Sequence, residues 1–189
     1  MWVVTGISTG LTQGFSIQLS QYYGAKDFEN LRKSLAHSYR LTAFIAAGVL
    51  ILSQSFASLV LTGLHTPSNI IGMSLLYLRI IFCGIPATAA YNMFASALRA
   101  MGNSKTPLTA MIIASVLNVS LDILFVAGFG WGVAGAAIAT VIAQSFSAVY
   151  CFLILRRIDI VHLTRADSMP ASGMNARLMK LGIPVVFQN

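Results

Sequence analysis

The chain has 189 residues, of which 57% are hydrophobic and only 9% charged, and its mean hydropathy is +0.78. An ordinary soluble domain carries about 25% charged residues, so this composition excludes a soluble enzyme, a disordered chain and a fibrous protein and leaves an all-α polytopic membrane protein. The net charge of +7 does not indicate nucleic acid, because Lys and Arg sit in short connectors between apolar runs rather than on one soluble face.

Five segments are long enough to cross about 30 Å of hydrocarbon, which takes roughly 20 helical residues. Trp2 to Tyr22 is the most polar, rich in Gly, Ser, Thr and Gln, and is expected to face protein or a water-filled cavity. Leu41 to Leu64 carries no charge, Ile70 to Leu98 carries Arg79 and bends at Pro86, Leu108 to Gly130 carries Asp122, and Gly132 to Leu155 carries none. A sixth apolar run starts near Leu181. Met1 is followed by Trp-Val-Val-Thr-Gly with no basic n-region, so the start does not read as a signal peptide. Both ends fall within apolar runs, and the expectation is a fragment.

The connectors alternate in charge. Gly24 to Arg40 holds Lys26, Arg32, Lys33 and Arg40; Arg99 to Thr106 holds Arg99 and Lys105; Arg156 to Lys180 holds Arg156, Arg157, Arg165, Arg177 and Lys180. The connectors around His65 and around Trp131 hold neither Lys nor Arg. The positive-inside rule makes the basic side cytoplasmic. Thr66-Pro67-Ser68-Asn69, Gly102 to Pro107 and Phe129-Gly130-Trp131-Gly132 read as turns, and Met169 to Gly173 as a linker. Cys83-Gly84-Ile85-Pro86 is echoed by Leu181-Gly182-Ile183-Pro184, a short trace of a repeat.

Asp122 is the one carboxylate within a span, and an ionisable residue there is a functional-site hypothesis by default. Asn118 lies one turn before it on the same face. Asp122 and Thr140 are equidistant from Trp131, each about 13 Å from that turn at 1.5 Å per residue. Asn92 and Asn118 are equidistant from Lys105. These four side chains are expected to converge if their facing directions agree. One carboxylate with amide and hydroxyl oxygens suits a hard cation such as sodium, and the same carboxylate suits carrying a proton. The competing reading is a set of hydrogen bonds that glue helices together. Arg79 is expected as a second buried charge, paired with a backbone carbonyl, with Asp122 or with a residue beyond this fragment, or else on the substrate path. His37, His65 and His162 are scattered and lack metal-site spacing. Cys83 and Cys151 read as small apolar fillers. No Ser/His/Asp or Cys/His constellation is present, so no enzyme activity, catalytic residue or cofactor is expected.

Three stretches carry a family resemblance: Gln21-Tyr22-Tyr23-Gly24-Ala25-Lys26-Asp27; Tyr77-Leu78-Arg79 through Gly84-Ile85-Pro86 and Asn92 to Pro107; and Asn118 to Asp122 with Gly130 to Thr140. Together they resemble the multidrug and toxic compound extrusion (MATE) family of secondary antiporters. That resemblance implies a twelve-helix fold in two six-helix lobes. Residues 1–155 would be an incomplete N-terminal lobe (helices two to six), 156–176 the cytoplasmic inter-lobe loop, and 177–189 the start of helix seven. The first helix and most of the second lobe would be missing partners. The family's cation site matches Asn92, Asn118, Asp122 and Thr140, and it also uses an acid on the first helix. The implied function is export of small organic cations or amphipathic drugs across the plasma (inner) membrane in exchange for sodium ions or protons. A lipid-precursor flippase of related architecture is disfavoured because only Arg79 and Asp122 are charged within the spans. A truncated, non-transporting membrane protein is the remaining alternative.

Overall fold

The computed structural model describes residues 14–63, 67 and 69–161, all of them helix or short turns. Residues 14–24 are helical (α1), followed by α2 Phe28–Gly63, α3 Ile71–Cys83, α4 Ile85–Ala100, α5 Lys105–Asp122 with a π-helical extension Ile123–Gly128, α6 Gly132–Arg156 and a 3-10 turn Asp159–Val161. Among the described residues, four helical stretches are long and apolar enough to span a membrane: Phe28–Gly63, Ile71–Ala100, Lys105–Gly128 and Gly132–Arg156. Most of the first expected span, the linker at Met169 to Gly173, the run from Leu181 and the boundaries drawn at 176 and 177 lie outside the described residues.

The basic stretch between α1 and α2 is not a loop. Lys26 takes a φ of 56°, the left-handed region, and the Asp27 N–H closes back on the Tyr22 carbonyl at 3.0 Å. Asp27 then caps α2: its Oδ1 accepts the Asn30 N–H at 3.1 Å and its Oδ2 accepts Asn30 Nδ2 at 2.7 Å. Lys33 pairs with Glu29 one turn away at 2.6 Å. With 36 residues, α2 is about 54 Å long at 1.5 Å per residue, well beyond the hydrocarbon. Its charged first turns therefore extend past the apolar slab.

The expected bend in the third span is a break. Gly84 separates α3 from α4, and Pro86 sits in the first turn of α4, where a missing N–H costs nothing. A Cβ on Gly84 would meet Val141 Cγ2 at 2.9 Å, so α6 approaches the break through a hydrogen-sized gap. At the other end of α4, Gly102 turns with φ 82°, the Asn103 N–H reaches the Leu98 carbonyl at 2.9 Å, and Asn103 Oδ1 accepts the Thr106 N–H at 3.1 Å to start α5.

α6 is the centre of the bundle, packed against α3, α4 and α5, while α2 packs on α3 and α4. Its buried stripe runs Gly135, Ala139, Ala143, Ser147, Cys151, Leu155 at every fourth residue. Small side chains at that spacing let backbones approach closely, which drives helix association where lipid removes the hydrophobic drive. The apolar core gathers at the basic end, around Phe15, Leu19, Leu35, Met93, Leu98 and Leu155. Cys151 is buried there, and Cys83 is exposed. Exposed apolar residues such as Phe44, Leu59, Ile112 and Val116 are the surface expected of spans in lipid.

Candidate functional site

α4, α5 and α6 enclose a cavity of about 350 Å³, lined by Asn92, Asn118, Thr140, Thr88 and Gln144 together with Tyr91, Ser115 and Ser147. Three of the four residues matched to the cation site thus share one cavity, each from a different helix. Asn118 Nδ2 lies 3.4 Å from Thr140 Oγ1. The Thr140 hydroxyl donates to the Ala136 carbonyl at 2.9 Å, so toward Asn118 it can only accept. One N–H of the Asn118 amide is thereby committed to Thr140, and its Oδ1 is left to accept.

Asp122 does not line this cavity. It stands one turn along α5 from Asn118, where the α-helix gives way to the π-helical turn Ile123–Gly128. Its Oδ1 is buried without a hydrogen-bond partner among the described residues. The residue level with Thr140 is Asn118, held to it by the 3.4 Å contact, so Asp122 lies one turn nearer the Trp131 turn. The π turn is held from outside. The Trp131 N–H bonds the Phe125 carbonyl at 2.9 Å, Phe125 stacks on Trp131 with ring centroids 5.2 Å apart, and Gly135 brings α6 so close that a Cβ would lie 3.0 Å from Phe125 Cβ. Such π turns recur at functional sites.

Arg79, expected as a buried charge, is exposed on α3 and does not line the cavity; its backbone carbonyl accepts Gln54 Nε2 at 3.0 Å. Among the other lining residues, which the spacing argument did not include, two form a pair. Thr88 Oγ1 donates to Gln144 Oε1 at 2.6 Å, tying α4 to α6 across 56 residues. Their signal was present in the spacing: Thr88 lies one turn before Asn92 and Gln144 one turn after Thr140, so each extends a polar face already recognised.

Among the described residues, no group of three His, Cys, Asp or Glu side chains gathers as a metal site. The Asp122 carboxylate and the neutral oxygens of Asn92, Asn118 and Thr140 are hard donors, but Asp122 does not line the cavity that the other three share.

The sequence model of the MatE family matches residues 1–124. The chain is 32% identical over 179 residues to the probable multidrug resistance protein YpnP of Bacillus subtilis, covering 95% of this chain and 40% of that protein. It is 23% identical to the multidrug export protein MepA of Staphylococcus aureus, covering 99% of this chain and 42% of that one. The chain thus spans about two fifths of the length of these curated relatives. Its fold superposes on a multidrug resistance MATE family transporter of the MOP superfamily in its inward-facing conformation with a TM-score of 0.90, at 23% identity and over 97% of this chain and 42% of that one. The outward-facing conformation gives 0.89 over 98% of this chain and 42% of that one, again at 23% identity. With the family-wide match on two thirds of its length and the lobe fold on nearly all of it, the chain belongs to the MatE family of membrane transporters.

Proposed function

We propose that this chain forms most of the N-terminal lobe of a secondary antiporter, which exports organic cations, drugs or other xenobiotics across the plasma membrane in exchange for sodium ions or protons. Residues 1–155 supply helices two to six of that lobe, with the basic connectors on the cytoplasmic side and the first helix and second lobe contributed by the rest of the transporter. The observation that carries this reading is the pairing of a three-helix polar cavity, lined by Asn92, Asn118 and Thr140, with a partnerless buried carboxylate oxygen on Asp122 one turn away. Asp122 takes up the coupling ion, Asn118 Oδ1 and the Thr140 hydroxyl oxygen complete or orient its ligands, and Asn92 closes the α4 side.

Coupling requires that the ion bind one lobe arrangement better than the other. The similar TM-scores to inward- and outward-facing relatives support a lobe that keeps its fold while the two lobes rock about a midplane site. The test is Asp122→Asn in the complete transporter, expressed in drug-sensitive cells. The expected result is loss of drug tolerance at unchanged membrane abundance. Unchanged tolerance would remove Asp122 from the mechanism.

A further inference from the structure

A second cavity lies on the opposite side of α4. It holds about 400 Å³ between α2, α4 and α6, and apart from Tyr39 and Thr42 its lining is apolar. Five alanines, Ala43, Ala46, Ala47, Ala89 and Ala90, make the hollow by leaving space where larger side chains would meet. From Tyr39 to Leu50 it runs about 16 Å along α2 at 1.5 Å per residue. A hollow of that length with an apolar lining suits a single extended hydrocarbon chain.

One end is chemically distinct. Tyr39 meets Phe94 edge-on at 5.5 Å, Phe94 meets Phe152 at 5.2 Å, and the Arg156 guanidinium lies over the Phe152 ring at 5.6 Å. Aromatic rings capped by a guanidinium are the side chains that settle at headgroup level. Arg157 follows directly, and Asp159 is the sole described acid beyond residue 122. About one turn deeper than Tyr39, Thr42 is 8% exposed, and its Oγ1 has no hydrogen-bond partner.

We propose that this cavity binds one anionic phospholipid, with an acyl chain along the alanine-lined hollow, an ester carbonyl accepting the Thr42 hydroxyl, and the phosphate held at Arg156. The three features fall in the order that a phospholipid presents them: charge, ester, hydrocarbon. A guanidinium binds phosphate by paired hydrogen bonds, and the neighbouring positive charge favours an anionic headgroup over a zwitterionic one.

The test is photolabelling of the chain in phosphatidylcholine vesicles containing a few per cent of phosphatidylglycerol with a photoreactive acyl chain, mapped by peptide mass spectrometry. Labels are expected on residues 42–50 and 86–94, at least fivefold above the exposed face of α5. Ala90→Phe, which fills the hollow, is expected to abolish that excess. Arg156→Gln, at an exposed position, is expected to reduce it to the level seen with photoreactive phosphatidylcholine. Labelling spread evenly over the exposed helices, equal labelling by the two phospholipids in the parent chain, equal labelling by a photoreactive fatty acid, or indifference to both substitutions would overturn the proposal.

Discussion

Asn118 and Thr140 face each other across the α5–α6 hairpin, amide nitrogen to hydroxyl oxygen at 3.4 Å, and Asp122 stands beyond them at the start of the π turn. The two roles are separate: the neutral pair is held by one hydrogen bond at the cavity wall, and the carboxylate has an oxygen without a partner among the described residues. Several consequences of this arrangement are open to measurement.

Thr140→Val keeps the shape of the side chain and removes the oxygen that accepts from Asn118 and would meet the coupling ion. Interhelical hydrogen bonds in membranes average about 0.6 kcal/mol, so the fold is expected to survive. The half-saturating concentration of the coupling ion in transport assays is expected to rise about tenfold. Unchanged ion dependence would assign Thr140 to packing alone.

Gly135→Ala is expected to destabilise the hairpin, because the new Cβ would lie 3.0 Å from Phe125 Cβ and 3.2 Å from its backbone carbonyl carbon and oxygen. Overpacking of this kind costs about 1–3 kcal/mol. Gly48→Ala, where a Cβ meets nothing within 4 Å, is expected to be neutral or stabilising, since alanine is the better helix former. Thermal unfolding of the two variants in the same detergent checks the difference.

Thr88 and Gln144 are expected to be coupled. Thr88→Val, Gln144→Leu and the double variant form a cycle in which, because each single change already breaks the 2.6 Å hydrogen bond, the double variant is expected to be about 1 kcal/mol less destabilised than the sum of the single changes. Additive effects on unfolding would mean that the contact does not form in the membrane.

Asp27 gives the fold a pH dependence at the base of α2. The Asn30 side chain, and then its backbone N–H, hold the Asp27 carboxyl below its usual value of 3.8. A carboxylate whose folded value is depressed contributes its stabilisation above the unfolded value and loses it as pH falls through the folded one. Amide exchange at Asn30 and Leu31, referenced to α4 amides, is expected to be flat above about pH 4 and to accelerate below it. Asp27→Ala is expected to show the faster exchange at every pH.

Much of this was legible in the sequence because membrane spans obey simple lengths. The uncharged runs around Leu50 and Ile142 need about 20 helical residues, and Pro86 announces the break between α3 and α4. The start of α2 was not legible from hydropathy. Lys26 to Arg40 read as a connector because charge lowers hydropathy, yet charge does not break a helix, and the Asp27 cap and the Glu29–Lys33 pair favour one. Asn92, Asn118 and Thr140 were found by counting along straight helices, and they do share a cavity. Counting from Trp131 set Asp122 level with Thr140, one turn off the observed partner Asn118; nothing in Ile123 to Gly128 marks the π turn, and the close approach of Gly135 to Phe125 becomes visible only in three dimensions.

The central claim is that Asp122 exchanges the coupling ion. Its most direct measurement is substrate movement by the complete transporter in proteoliposomes, driven in turn by an imposed sodium gradient and an imposed proton gradient. The expected result is gradient-driven transport that Asp122→Asn abolishes and Asp122→Glu partly restores, with substrate still bound by both variants. Gradient-driven transport by Asp122→Asn at the rate of the parent protein would contradict the account.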